Sequence, residues 1–599
     1  MRVHLTAAST IVLEDVGFSL EFRPSRDGGG PGTVEVVSYP PGSTTQPDID
    51  PDEHFVEAFG CLGIVELGSK TILLVLVPPI DMLSAGDAGM NVERVEEVLF
   101  YCVEDPHLLA SADKPDHPCY HLRQVLTDGS FAYSRTVDLT SRLQSRIRVQ
   151  EQRDAACAPA ARTDASAGSS TVPHHYRGTL EYTWNAYLLT PLNIFRASLD
   201  PTAKAAFDSR SFMLPVVQGF YGTREVHIGS ERVHLSVISR RGWGRAGTRF
   251  KKRGIDADGS VGNCAETETI LETSTHVVSF VQLRGSVPLY WQEKPRWTGA
   301  VKLDIPQPLA DVSLAPFLRH MRWAVKTYTH IHAISFLSDN PHDSLAAEAA
   351  LGDAYATLCA LGKSQSKRLR EGLVFEKFSI HKAEMLSGGV ESMPGEIAKD
   401  VDALLDEYGA TTATLDGESG KPVLVSGQQG VFRVNCRDCL DRSNLGEFSI
   451  SAAALDKQLA KLQLPPLEGT ELEQAHRDLW SAVSSSPALV PLGPLTHAAA
   501  SQNGDALSQI YAGSRAMNSS FIRTGRVTHK QELENAETSE ARHVQAMLHD
   551  DAKNRATEIL TGQCRDQQWA PQLVLVEATT TSELSGTHTD SDSGSDLDV

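Results

Sequence analysis

No apolar run in this 599-residue chain approaches the roughly 20 residues that carry a helix across a bilayer; even Ile72-Leu-Leu-Val-Leu-Val77 stops at Pro78-Pro79. A membrane-spanning reading is therefore excluded for the sequence as it stands. Cysteine is scarce too, with nine residues, an odd number and scattered, so no disulfide framework is written into the chain. With no secretory leader at the start, the expected compartment is reducing. Positive charge is the minority, 55 Lys and Arg against 76 Asp and Glu for a net charge of -21. That balance argues against general nucleic-acid binding, which needs a broadly positive face to displace counterions. There is no internal repeat, and metal-ligand spacing is missing. Cys436 and Cys439 form a Cys-x-x-Cys pair, but zinc needs a second ligand pair and none stands at finger-like distance. His174-His175 lie in a linker, and His320, His330 and His332 have no carboxylate or cysteine at ligand spacing, so no metal is assigned.

What the chain does contain is Val431-Phe-Arg-Val-Asn-Cys-Arg-Asp-Cys-Leu-Asp-Arg-Ser-Asn444, in which five residues separate Cys436 from Arg442 and Ser443 follows at once. The apolar runs Pro422–Val425 and Val431-Phe432 predict strands, and Leu445 to Leu459 predicts a helix. A short loop between a strand and a helix can curl its N–H groups around one phosphate, helped by the positive end of the helix dipole. A thiol at the bottom of that cradle feels the same dipoles and the guanidinium of Arg442, which lowers its pKa from about 8.5 toward roughly 4 to 7. Cys436 is then a thiolate nucleophile at neutral pH. Arg442 supplies a planar fork for two phosphate oxygens, which lysine cannot match.

Attack by Cys436 gives a phosphocysteine that water hydrolyses in a second step. The hydroxyl of Ser443 is placed to hydrogen-bond the departing thiolate. For the proton owed to the leaving alcohol the loop offers Asp438 and Asp441, of which Asp438 is preferred. Asp441 has the alternative of bracing the loop through backbone N–H groups or Arg433. The N–H groups of residues 437 to 442, among them Arg437, Cys439, Leu440 and Asp441, form the cradle. Arg433 and Asn435 support it, and Cys439 reads as a buried loop residue or as a partner for an oxidised Cys436.

Read as RVNCRDCLDRSN from Arg433 to Asn444, this segment resembles the signature of the Sac-family phosphoinositide phosphatases, close to Arg-x-Asn-Cys-x-Asp-Cys-Leu-Asp-Arg-Thr-Asn. Further blocks resemble the same family in order: Glu57–Leu67, Phe131–Thr140, Phe212–Phe220, Arg245–Glu268, Phe280–Trp291, Asn503–Gly513 and Phe521–Arg526. Departures are Arg437 at a position the family usually fills with an apolar residue, Ser443 for threonine, Gly446-Glu447 in a segment that normally ends in glutamine, and Thr269 for glutamine. The stretch from Thr298 to Leu369 matches poorly.

The resemblance implies an α/β fold, in which a mixed twisted sheet flanked by helices carries the phosphate loop behind a smaller β-rich N-terminal subdomain. With the composition breaks it gives an N-terminal subdomain over 1–150, a flexible linker over 151–175 and a catalytic domain over 176–545. A helical extension over 546–576 and an acidic disordered tail over 577–599 follow. Residues 26 to 52 read as a surface excursion, and Ser344–Leu361 and Glu396–Tyr408 as helices. The implied activity is removal of the ring phosphate from phosphatidylinositol monophosphates, the 4-phosphate and 3-phosphate foremost, without a cofactor. The alternatives are a catalytically weak lipid-binding scaffold, in which Arg437 or Glu447 blocks turnover, and a protein phosphatase. The implied location is the cytosolic face of endoplasmic reticulum, Golgi or endosome, held peripherally. One stretch is locally basic in the acidic chain: Arg240, Arg241, Arg245, Arg249, Lys251, Lys252 and Arg253 stand together with no acid between them. The expectation is that they dock an anionic membrane or a second phosphate, against the plainer reading of a solvated charged face.

Overall fold

The computed structural model describes residues 1–6, 10–24, 34–49, 54–67, 70–77, 92–103, 105, 117, 119–134, 136–157, 181–294, 302–340, 346–378, 390–417, 419–481, 502–563 and 573–576. The strand Gly430–Asn435 lies between His330–Ser335 and His276–Arg284 and runs parallel to both. Beyond His330–Ser335 the sheet ends on the parallel strand Leu373–Lys377. On the other side it continues antiparallel through Ala265–Glu272, Glu231–Arg241, Val217–Ile228, Phe131–Ser134 and Val92–Arg94. The result is a mixed sheet whose parallel part carries the loop, the α/β class expected from the sequence.

Every residue of Gly430–Asn435 is buried, as a strand covered on both faces requires. Its side chains alternate between two cores. Phe432 and Val434 join the helices Met393–Tyr408, Asp441–Lys461 and Glu471–Trp480 on one face. Val431 packs on the other with the helices Leu314–Tyr328 and Ala346–Gln365. Helix Asp441–Lys461 approaches the end of His330–Ser335 so closely that a Cβ on Gly446 would lie 2.3 Å from the Phe336 ring. Only glycine lets the first turns of that helix sit there.

The N-terminal part is β-rich: a six-stranded sheet that includes Arg2–Leu5, Ile11–Asp15, Phe18–Pro24 and Val34–Tyr39 shares one core with the three-stranded sheet Gly60–Leu67, Lys70–Val77 and Glu97–Cys102. The boundaries read from the sequence shift in four places. Val34–Tyr39 is a sheet strand inside the stretch taken for a surface excursion. Val92–Arg94 and Phe131–Ser134 extend the large sheet, so no clean division falls at residue 150. Helix Leu143–Cys157 takes up the first residues of the expected linker, and the rest of it lies outside the described residues. In the C-terminal extension, helix Asp550–Leu560 precedes a strand, Leu573–Val576, that pairs parallel with Val34–Tyr39. Composition could not anticipate that return, because a four-residue apolar run has no partner in its own neighbourhood. The acidic tail from 577 lies outside the described residues. Among those residues no helix is long and apolar enough to cross a membrane.

Candidate active site

The loop from Cys436 to Leu440 leaves the C-terminal end of Gly430–Asn435 and enters helix Asp441–Lys461, the place where parallel sheets commonly hold ligands. Cys439 has φ +52°, a left-handed turn that a non-glycine residue adopts at some cost and that curls the loop. Asn263 fastens the outside of the curl, its Nδ2 donating to the carbonyls of Cys439 at 3.0 Å and Asp438 at 3.4 Å. Leu440 is buried against Tyr511 and Ala512, and its carbonyl accepts from the N–H of Asn444 at 2.7 Å. Among the described residues the N–H groups of Arg437, Asp438, Cys439 and Leu440 donate to no protein group. With the first N–H groups of the helix they make a set of donors at one helix end.

Cys436 is buried at the base of this curl. Arg442 is anchored by Glu348: Nη1 and Nη2 donate to its two carboxylate oxygens at 2.8 Å each, and Nη1 also donates to the Phe336 carbonyl at 2.9 Å. Nε, beside the second hydrogen of Nη2, has no partner among the described residues, so one bidentate edge of the guanidinium remains for a ligand. Burial works to raise the Glu348 carboxyl, but the hydrogen bond and charge of Arg442 prevail and hold it below its ordinary value. Ser443 Oγ is buried and has no hydrogen-bond partner among the described residues, as a hydroxyl reserved for a transient acceptor would be. The thiol of Cys439 donates to the Cys436 carbonyl at 3.5 Å, and burial pushes it far up, which makes it an inert loop residue.

Asp438 is not placed as a proton donor here. Arg253 donates to it through Nε at 3.0 Å and through Nη2, and Arg249 Nη1 lies 3.6 Å away. Burial alone would raise this carboxyl; the two arginines outweigh it and hold it well below the usual carboxylate range. Asp441 does brace the site, but through the Met517 N–H at 2.6 Å and a two-point pair with Arg542 at 2.8 and 2.9 Å, and not through Arg433. Arg433 instead lies buried among His320, Ser286 and Tyr355. Asn435 donates to Ser335 Oγ at 3.1 Å across the sheet. Both side chains are engaged in contacts of the strand that leads into the loop.

The basic block requires correction. Arg240 is fully buried between Glu266 and Glu268, at 3.0 and 2.6 Å, and Arg241 is buried on Gln218 and the Gly247 carbonyl. Arg245 holds the Arg253 carbonyl at 2.7 Å. Arg253 lies between Asp438 and Glu293, and the guanidiniums of Arg249 and Arg253 lie 4.5 and 4.7 Å from the centre of the Phe250 ring. Lys252 pairs with Glu558 at 2.7 Å; Lys251, paired with Asp551, keeps 48% of its side chain exposed. Arg240, Arg241 and Arg253 are therefore internal to the protein, Arg249 and Lys252 are largely covered, and Lys251 is the exposed cation of the block. Glu447 is buried and accepts from Arg284 through Nε at 2.7 Å and through Nη2. Four residues that hold the site were not identified from the sequence: Glu348, Glu293, Asn263 and Arg542. Asn263 lay within a quoted block, whereas Glu348 had only the signal of one of two acids in an alanine-rich helix.

The SacI homology domain profile matches residues 59–384, rather more than half of the chain. The chain is 29% identical over 535 residues to inositol-1,4,5-trisphosphate 5-phosphatase 1 of Schizosaccharomyces pombe, covering 85% of this chain and 44% of that protein. It is 28% identical over 534 residues to polyphosphatidylinositol phosphatase INP53 of Saccharomyces cerevisiae, covering 84% and 43%. Against phosphatidylinositol-3-phosphatase SAC1 of Drosophila melanogaster the identity is 27% over 444 residues, covering 74% and 64%. The chain thus spans less than half the length of the first two relatives.

Proposed function

This chain belongs to the SacI homology domain family, and on that footing we propose that it is a phosphoinositide phosphatase acting through Cys436. The observation that carries the reading is the Cys436–Arg442 loop itself, where among the described residues the loop N–H groups, one edge of the Glu348-held guanidinium and the Ser443 hydroxyl have no partner. The names of the relatives support a phosphoinositide as substrate. Within that class the 4-phosphate and 3-phosphate of phosphatidylinositol are the substrates proposed.

The Cys436 sulfur attacks phosphorus as the bond from phosphorus to the ring oxygen breaks, and the ring oxygen takes its proton from solvent water, since the ionised Asp438 has none to give. Water then attacks the phosphocysteine, releasing inorganic phosphate and returning the thiolate, which the Ser443 hydroxyl can solvate. Arg442 and the loop N–H groups stabilise the charge on the transferring phosphoryl group. The lipid binds at a membrane surface that the protein meets peripherally.

A scaffold that binds without turnover is favoured by one observation, the ionised Asp438 clamped by Arg253 and Arg249, which leaves the loop without a ready acid. Phosphate release from a panel of phosphoinositide liposomes, wild type against Cys436→Ser, separates the two. Release by the wild type alone supports the enzyme, and binding without release by the wild type supports the scaffold.

A further inference from the structure

Two arginines of the loop are held in the same manner, and only one of them has a role so far. Arg442 is anchored by the buried Glu348. Arg437 is anchored by the buried Glu293, through Nε at 3.0 Å to one carboxylate oxygen and through Nη2 to the other. The anchor occupies the Nε and Nη2 edge of Arg437, so the opposite edge, Nη1 with the second hydrogen of Nη2, is the one left over. Nη1 donates to nothing among the described residues, and 26% of the side chain is exposed, close to the 29% of Arg442.

Glu293 does not cancel this cation. Its single charge is shared with Arg253, whose other partner Asp438 is shared with Arg249. The chain Arg437–Glu293–Arg253–Asp438–Arg249 alternates in sign and has three cations to two anions. An exposed guanidinium at the end of a net positive, mutually braced row has its orientation fixed before any ligand arrives, so little side-chain entropy is lost when it binds one. Its backbone begins one residue after the nucleophile, and its charge acts on Glu348, the anchor of Arg442, so the guanidinium lies in the neighbourhood of the cradle.

The geometry points to Arg437 as a second anion clamp, which extends binding from the monophosphates to inositol lipids carrying another ring phosphate besides the one held by Cys436 and Arg442. This inference rests on the reading of the loop as an inositol-phosphate site. It adds to that reading a residue that sets substrate choice, and it identifies Glu293 as the positioning residue for that clamp.

Binding tests it without relying on turnover. Protein carrying Cys436→Ser is titrated with phosphatidylcholine vesicles that contain either a phosphatidylinositol monophosphate or a phosphatidylinositol bisphosphate, matched for total phosphate charge. Arg437→Met and Arg437→Gln are compared on the same background. The glutamine variant keeps a hydrogen bond to Glu293 and guards against a folding failure of the methionine variant. The expected result is tighter binding to the bisphosphate, with that preference falling about tenfold or more when Arg437 is replaced, the scale of a lost charged hydrogen bond. Equal weakening on both vesicles, or no preference at the outset, overturns the inference. Phosphate release by the unsubstituted protein is followed in parallel. Its absence while the Arg437-dependent preference persists refutes the phosphatase reading and leaves the clamp standing.

Discussion

Replacing Glu348 by glutamine removes the charge that holds Arg442 while keeping the shape of the side chain. The carboxylate receives two guanidinium N–H bonds of 2.8 Å and a third from the Ser338 N–H at 3.2 Å. An amide keeps one oxygen, enough for Ser338 and one Arg442 donor, and turns an NH2 group against the other. The loss is one charge-assisted hydrogen bond, about 1.5–3 kcal/mol. Because 29% of the Arg442 side chain is exposed, solvent screening brings this to about 1–2 kcal/mol. If Arg442 orients the phosphoryl group in the transition state, that converts to a fall of about 5- to 30-fold in kcat, with KM changing less. The assay is initial-rate phosphate release from monophosphate vesicles, alongside a thermal melt. Glu348→Asp, which keeps the charge, is expected to recover part of the rate. A variant with kcat within about twofold of wild type, or one whose lost activity merely follows lost folded protein, would refute the anchoring role.

Three further outcomes follow from the same geometry. Asp438→Asn is expected to slow an activated aryl phosphate and a lipid substrate in equal proportion, since the carboxylate serves Arg253 and Arg249; a larger loss on the lipid would restore Asp438 as the acid. Arg542→Met leaves Asp441 partly buried and unpaired, and a urea titration is expected to register about 3 kcal/mol of lost stability, whereas a loss under about 1 kcal/mol would show that the pair does not secure the loop helix. His476 is buried beside Phe448, Trp480 and Ser451, and burial, with the charge of Arg477, pushes it down to about 3. Its folded value lies below the unfolded value of about 6.5, so its contribution is complete above that pH and is lost as pH falls toward 3. Between pH 6.5 and 5 the wild type should lose about 2 kcal/mol more than His476→Gln, and parallel curves for the two proteins would contradict the assignment.

The strand, loop and helix around Cys436 were legible because they are local: a short apolar run, a tight turn and a longer apolar-patterned segment follow one another in sequence. The partners of the loop were not, since Glu348, Glu293 and Arg542 lie some 90 to 150 residues from the loop residues they hold, and charge has no periodicity to betray such pairs. The basic block shows the same limit from the other side. Seven cations without an intervening acid read as an exposed face only while the neighbouring strand is unknown. In the sheet, Arg240 stands directly opposite Glu266, with Glu268 two residues further on, and the charge is spent internally. The alternating acids of Ala265-Glu-Thr-Glu268 were the available signal, because a strand with glutamates on one face calls for cations on the strand beside it.

Phosphate release from phosphoinositide liposomes by purified protein, with and without Cys436→Ser, is the decisive measurement. The expected result is release by the wild type that the substitution abolishes while vesicle binding persists. Release that survives at the wild-type rate would take Cys436, and the loop built around it, out of the chemistry.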